Sequence, residues 1–485
     1  MKRLLFTISA ILFSASLFGQ GSDDALLYSQ TQYQGTAKAL GMANALGAVG
    51  GDMTATCINP AGLGLYRSDE FTASLNLLNN LNHSNYYGEA NNANKTRLTI
   101  PNIGYVSTKQ RSNYRNLRFT QFGIGLTRTN DFNNCTYAKG INPTSSLIYN
   151  YLSKIDGFST SDIQNYYPFD IYPAWQTYLI DIYNDDLGEY YGSPIPQGGI
   201  WQSHRNNFKG RSEEWTFASS ANYADRLFLG ISLGMGHIKR EGTREFGESL
   251  PYNSDISTDF RQWSFTENIS SIGWGFNIKT GLIYHASNWL RIGAAFHSPT
   301  IYGFEETWQT ETTSLIEDIT KKYISQESHY EYTFISPLKW VGSMAFVVGQ
   351  EAIVSLDAEY TNYGAARFKA NDYDYGNTNV SIRETFGRTA NFRIGAEWRM
   401  GNSYLRLGGG YYGSPYGLGD ADGSLKKASA GISLPLSLST TVDFAYELTL
   451  GKSLVYLYDA GSLGIDPISQ SQYRNNVAVT LKARY

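Results

Sequence analysis

From about Ser68 to the C-terminal Tyr485 the chain repeats one unit: a run of roughly 10 to 15 residues, often alternating apolar and polar, closed by a turn signal. Alternation puts successive side chains on opposite faces of an extended strand. Val442, Phe444, Tyr446, Leu448 and Leu450 therefore share one face, and Thr441, Asp443, Ala445, Glu447 and Thr449 the other. Likewise Val354, Leu356, Ala358 and Tyr360 oppose Ser355, Asp357 and Glu359. A membrane helix needs ~18 or more consecutive apolar residues, so a chain patterned this way is not a helical membrane protein. The pattern predicts fourteen strands, at 68–82, 96–108, 116–130, 211–223, 226–240, 268–285, 288–302, 329–348, 351–363, 386–399, 402–412, 425–434, 438–449 and 471–485.

The connections alternate in length. Tight turns fall at Ala224-Asp225, Ala286-Ser287, Gly349-Gln350, Met400-Gly401 and Pro435-Leu436-Ser437, with a slightly longer one from Lys109 to Arg115. Long segments fall at 83–95, 131–210, 241–267, 303–328, 364–385, 413–424 and 450–470. Outer-membrane barrels have short periplasmic turns and long extracellular loops; a soluble sandwich has no reason for that asymmetry. The expected fold class is all-β, a transmembrane antiparallel β-barrel of about 14 strands. Its last strand, with Val477, Val479, Leu481, Ala483 and Tyr485 on one face, looks like the signal that the barrel assembly machinery reads.

Lys2 and Arg3, the apolar stretch Leu4 to Phe18 and the exit Gly19-Gln20-Gly21-Ser22 have the layout of a secretory signal peptide, assigned to 1–20. A net charge of -4, with 39 Lys and Arg against 43 Asp and Glu, excludes a nucleic-acid partner, which calls for clustered cations. The six histidines are scattered without ligand spacing, so no metal is expected, nor any cofactor. Cys57 and Cys135 are read as separate thiols or, less simply, one bond.

Residues 21–67 do not follow the strand pattern. The small-residue run from Gly35 leads through Gly50-Gly51-Asp52 to Asn59-Pro60-Ala61, just before the first strand. This resembles the long-chain fatty-acid transporter family of outer-membrane proteins (the FadL/TodX type), whose N-terminal hatch bears an Asn-Pro-Ala motif and plugs a fourteen-stranded barrel. The resemblance implies a hatch at 21–67 inside a barrel at 68–485, located in the cell outer membrane. It also implies a channel for passive uptake of hydrophobic compounds such as long-chain fatty acids, in contact with outer-membrane lipid. The alternatives are a general porin, a structural or adhesive surface barrel, and a haem receptor; an energised receptor normally carries a larger globular plug and a coupling box, and neither is seen.

Candidate ligand contacts follow. Loop 131–210 is rich in aromatic residues, and Tyr149, Tyr151, Trp175 and Tyr178 are expected either to capture hydrophobic molecules or to pack into a cap of their own. On the lumenal face, Arg393 and Arg406 are candidates for a carboxylate head group, with Asp357, Glu359 and Glu397 as competing partners. In Phe119–Leu126 the spacing of Gly123 and Gly125 suggests a bulge or bend. The resembled family has an inward kink in its third strand, which makes these glycines the lateral-opening candidates; otherwise they make room for hatch side chains. Gly230-Ile231-Ser232-Leu233-Gly234 matches a nucleophile-elbow pattern, yet it sits within a strand rather than at a strand-to-helix turn. No enzyme is expected.

Overall fold

Each strand ladders with both neighbours over at least part of its length, and the last strand finds its second partner in the first. Glu70 pairs with Arg484 and the ladder runs on to Asn85 opposite Ser469, closing an antiparallel barrel of fourteen strands. The computed structural model describes residues 21–111, 116–185, 188–252, 256–417, 422–458 and 465–485; the signal-peptide assignment lies outside them. The barrel strands are β1 (Glu70–Tyr86), β2 (Glu89–Gln110), β3 (Leu117–Asp131, continued by Asn134–Asn142), β4 (Ile200–Tyr223), β5 (Leu227–Ser249) and β6 (Phe260–His285). They continue as β7 (Leu290–His297 and Ile301–Ile316), β8 (Ser328–Ile335 and Lys339–Val348), β9 (Ala352–Asn362) and β10 (Arg388–Met400). β11 (Ser403–Tyr412), β12 (Leu425–Pro435), β13 (Thr440–Val455) and β14 (Ile468–Arg484) complete the wall.

Alternation decides what each face meets. Leu229, Ile231 and Leu233 of β5 are exposed, while Phe228, Ser232 and Ile238 are buried. The exposed apolar residues form a belt. Its rim near the tight turns carries Tyr223, Tyr284, Trp289 and Trp398, and its far rim Trp215, Trp274, Trp340 and Tyr360. Two aromatic girdles around an apolar band are what a barrel in a bilayer requires, because lipid offers no partner to an open strand edge or a charged side chain. No described helix is long and apolar enough to cross a membrane.

The strands run well past the belt on the long-loop side. β5 continues to Ser249 and β6 begins at Phe260, so 241–267 is mostly wall rather than loop. The expected loop 83–95 is a hairpin turning at Tyr87 and Gly88, both at positive φ. Above the belt the outward side chains become polar, as in the Lys209–Glu241 pair at 2.8 Å, and the ladder stands in water.

The N-terminal segment, with helices α1 (Ser22–Ser29), α2 (Ala37–Gly41) and α3 (Ala55–Ile58) and a 3₁₀ turn at Pro60–Leu65, bonds to strands all round the wall. The Ala37 amide donates to Thr480 Oγ1 (2.7 Å), the Ala43 amide to Ser429 Oγ (3.1 Å) and the Gly47 amide to Asp357 Oδ2 (3.0 Å). Asn59 Nδ2 donates to Leu282 O at 3.1 Å. A segment touching β14, β12, β9 and β6 together lies in the lumen. Lumenal glycines let it approach: a Cβ built on Gly408 would stand 2.5 Å from the Ala43 nitrogen.

Candidate functional site: the filled lumen and a break in its wall

Four features lie along the barrel axis and at its wall. Outermost is a cap from loop residues 143–199, built on helices α4 (Leu147–Leu152), α5 (Thr160–Tyr166) and α6 (Ile171–Gln176). Their apolar faces form one buried cluster with Phe246, Phe260 and Trp263 of the wall. Glu248 ties the cap down. It accepts from Ser146 Oγ (2.7 Å), the Leu147 amide (3.0 Å), Gln202 Nε2 (2.8 Å) and Trp263 Nε1 (2.7 Å).

The structure places the four loop aromatics unequally. Tyr151 is buried in the cap core, and Trp175 packs edge-on to Tyr191 with centroids 5.8 Å apart. Tyr149 is half-buried and its hydroxyl donates to Ile195 O at 2.9 Å. Tyr178 remains 53% exposed, at positive φ, with Lys321 Nζ 5.3 Å above its ring.

Beneath the cap lies an aromatic chamber of Phe132, Tyr302, Phe304, Tyr332, Phe334, Phe368 and Tyr375. Helix α1 occupies it. The Tyr28 ring stacks on Phe304 at 4.8 Å and meets Phe334 edge-on at 5.9 Å, while Asp24 anchors the helix to Arg240 at 3.1 Å. A cavity of about 50 Å³ remains beside Tyr28, Thr31 and Tyr33, lined on the wall side by Glu214, Lys279, His297 and Lys339. That is room for one or a few waters, not for an acyl chain.

The next layer is the Asn59-Pro60-Ala61 turn. Asn59 Oδ1 accepts from the Ala61 amide (3.1 Å) and Nδ2 donates to Gly47 O (2.8 Å), so one side chain ties two stretches of the segment together. Ala61 packs against Phe228 and Ile283, and side chains at Gly230 or Gly281 would collide with Pro60 and Asn59. This explains Gly230 of the elbow-like motif. Its residues lie in an unbroken ladder opposite Ser220 and Gly281, which is not an elbow.

Arg393 and Arg406 are each paired with carboxylates of the wall. Arg393 pairs with Glu359 at 3.2 Å. Arg406 meets Glu397 at 2.6 Å and Asp443 at 3.6 Å. The register that faces Glu397 with Arg406 and Asp357 with Arg393 brings opposite charges together in a buried interior, where unpaired charges are costly.

The fourth feature is in the wall. Gly123 and Gly125 sit in regular ladders with β2 and β4. A Cβ at Gly123 would lie 3.1 Å from Leu63 Cδ1, and one at Gly125 3.2 Å from Met53 Cγ, so both make room for the N-terminal segment. The strand bends further on. The β2–β3 ladder ends at Asn102 opposite Thr127, although β2 stays paired with β1 up to Glu89. Pro101 has no N–H to continue the ladder, and β3 shifts register between Arg128 and Asn130, a bulge that turns it inward. Backbone amides of Gln32 and Gln34 take the vacated positions, donating to Thr129 O (2.7 Å) and Arg128 O (3.0 Å). Leu98 and Ile100 beside the break face outward, 61% and 54% exposed, at the level of the lipid belt.

Cys57 and Cys135 are unbonded, and among the described residues no cluster of ligating side chains fits a metal.

Comparison with protein-family models gives no match, and neither does comparison with curated protein sequences. Comparison with solved structures does. The chain is similar to a Pseudomonas aeruginosa FadL homologue, with TM-score 0.60 and 13% identity over 94% of this chain and 99% of that one. It is also similar to the Pseudomonas putida toluene transporter TodX (TM-score 0.50, 14% identity, 90% and 95% covered) and to the monoaromatic hydrocarbon channel CymD (TM-score 0.50, 12% identity, 92% and 96% covered).

Proposed function

We propose that this protein is an outer-membrane channel for the passive uptake of hydrophobic compounds such as long-chain fatty acids, with residues 21–67 as its hatch. The observation that carries the reading is the break between β2 and β3 at the level of the lipid belt, in a barrel whose lumen is filled. A hydrophobic molecule gains nothing by entering water. A channel for it is best served by an aromatic chamber above and an exit into the membrane at the side. That exit lies at Pro101 and Arg128–Asn133 rather than at Gly123 and Gly125. The solved structures of like fold carry names of the same chemistry, a FadL homologue and channels for toluene and monoaromatic hydrocarbons.

Helix α1 stands where a ligand ring would stack, so passage requires it to move. Exposed Tyr178 is the loop aromatic best placed to meet an arriving molecule, and the terminal strand ending in Tyr485 is the element the barrel assembly machinery would read. A general porin needs an open aqueous lumen, which the N-terminal segment fills.

Expression in cells lacking their own outer-membrane fatty-acid channel tests this. Uptake of labelled oleate or toluene should rise at least tenfold over the empty control, with a hydrophilic disaccharide at background. Disaccharide entry without oleate or toluene uptake would replace this reading with the porin.

A further inference from the structure

Above Asn102 the wall is a lap joint. The free half of β2 is laddered only to β1, from Glu89 to Thr99 with a register shift at Ile100 and Pro101, while the continuation of β3, Asn134–Asn142, is laddered only to β4 and passes behind it. Alternation turns Asn91, Lys95 and Arg97 of the free half inward across this seam. Asn91 Nδ2 donates to Lys139 O at 3.1 Å. Lys95 Nζ donates to Asn207 Oδ1 at 2.7 Å and Phe208 O at 2.6 Å. Arg97 Nη1 donates to Asn133 Oδ1 at 2.8 Å. Among the described residues neither Lys95 nor Arg97 forms a salt bridge. From β1, Asn82 Nδ2 reaches Asn134 Oδ1 (2.8 Å) and Cys135 O (2.7 Å), and Asn80 reaches Asn133 O.

Where two neighbouring strands share a ladder, separating them breaks backbone hydrogen bonds. Here it breaks only side-chain bonds, several of them at the water-facing surface, where exchange for water costs little net free energy. The latched end also touches the break itself. Asn133 donates to Asp131 Oδ1 at 2.8 Å, and Asp131 pairs with Arg128, which pairs in turn with Glu213.

We propose that Asn91, Lys95 and Arg97 form a polar latch across the β2–β3 seam, and that its opening sets the rate at which a hydrophobic molecule leaves the lumen for the membrane. This rests on the channel reading above. The latch residues are positioning residues: they hold the overlapping strands together and need not touch the ligand.

The test is Lys95→Met with Arg97→Met in the full chain, keeping side-chain length while removing the donors. Two readouts are compared with wild type: amide hydrogen exchange by segment, and uptake of labelled oleate. Exchange over 133–142 should rise at least tenfold with 227–240 unchanged, and uptake should rise two- to fivefold. Unchanged exchange over 133–142 overturns the latch, and so does faster exchange with unchanged uptake. Should the double variant not assemble, Asn91→Ala is read in the same way, with a smaller rise of two- to threefold in exchange. Absence of oleate uptake by wild type is a different failure and removes the channel reading itself.

Discussion

Asp52→Ala is expected to release the N-terminal segment from the lumen while leaving the barrel assembled. Asp52 is fully buried and holds together parts of the chain that are far apart in sequence. Both of its oxygens lie 2.7 Å from Thr36 Oγ1, Oδ1 accepts from the Thr54 amide at 2.9 Å, and Oδ2 pairs with Lys482 of β14 at 3.2 Å. Removing one partner of a buried ion pair costs ~3–5 kcal/mol. Lys482 keeps Asp443 at 2.9 Å, so the lower figure applies, about 3 kcal/mol, or roughly a hundredfold in the open population. Hydrogen exchange over residues 36–66 should quicken by about that factor. Heat-modifiable migration on a gel, the mark of a closed barrel, should persist. Wild-type exchange in the variant would mean that the segment is held by its packing alone.

The second large effect belongs to the cap. Glu248→Ala removes the common acceptor of Ser146, Leu147 and Trp263, and each buried donor left unpaired costs ~1–3 kcal/mol. A sum of about 3 kcal/mol or more is enough to open a surface unit whose stability is a fraction of the whole protein's. Limited proteolysis should cut between Ser153 and Tyr167 at least tenfold faster, with the barrel fragment intact. Glu248→Gln keeps one acceptor oxygen and should fall between the two. Equal cutting rates in all three proteins would show that the cap stands on its apolar cluster without this carboxylate.

How much of this was legible in the sequence follows from where lipid enforces a rule. Near the tight turns every outward residue meets hydrocarbon, so alternation is strict, and the turns at Ala224-Asp225 and Gly349-Gln350 fall where the pattern places them. Past the belt both faces meet water or protein. β5 was expected to stop at 240 yet runs to Ser249, because Lys239, Arg240, Glu241 and Gly242 carry no alternation to read. Resemblance pointed to a kink in the third strand, and two glycines were the natural candidates. The legible signal was instead Pro101 in the neighbouring strand, since proline inside a strand marks an edge or a bulge. The pairing of Arg393 and Arg406 was readable in principle from interleaved carboxylates on adjacent strands. The seam contacts were not, because Lys95 of β2 meets Asn207 of β4, and no local pattern announces contacts between strands that are not neighbours.

On the proposed route a hydrophobic molecule passes from the aromatic chamber to the membrane through the break between β2 and β3. A long-chain fatty acid carrying a photoreactive diazirine tests it most directly, with adducts on the membrane-embedded protein mapped by mass spectrometry. The expected adducts are in the chamber, at Phe304 and Tyr332, and at the break, between Leu98 and Pro101 and between Thr127 and Asn133. Adducts that follow the lumen down to Asp443 and Lys482 at its periplasmic end, with none at the break, would show passage along the barrel axis and no lateral exit.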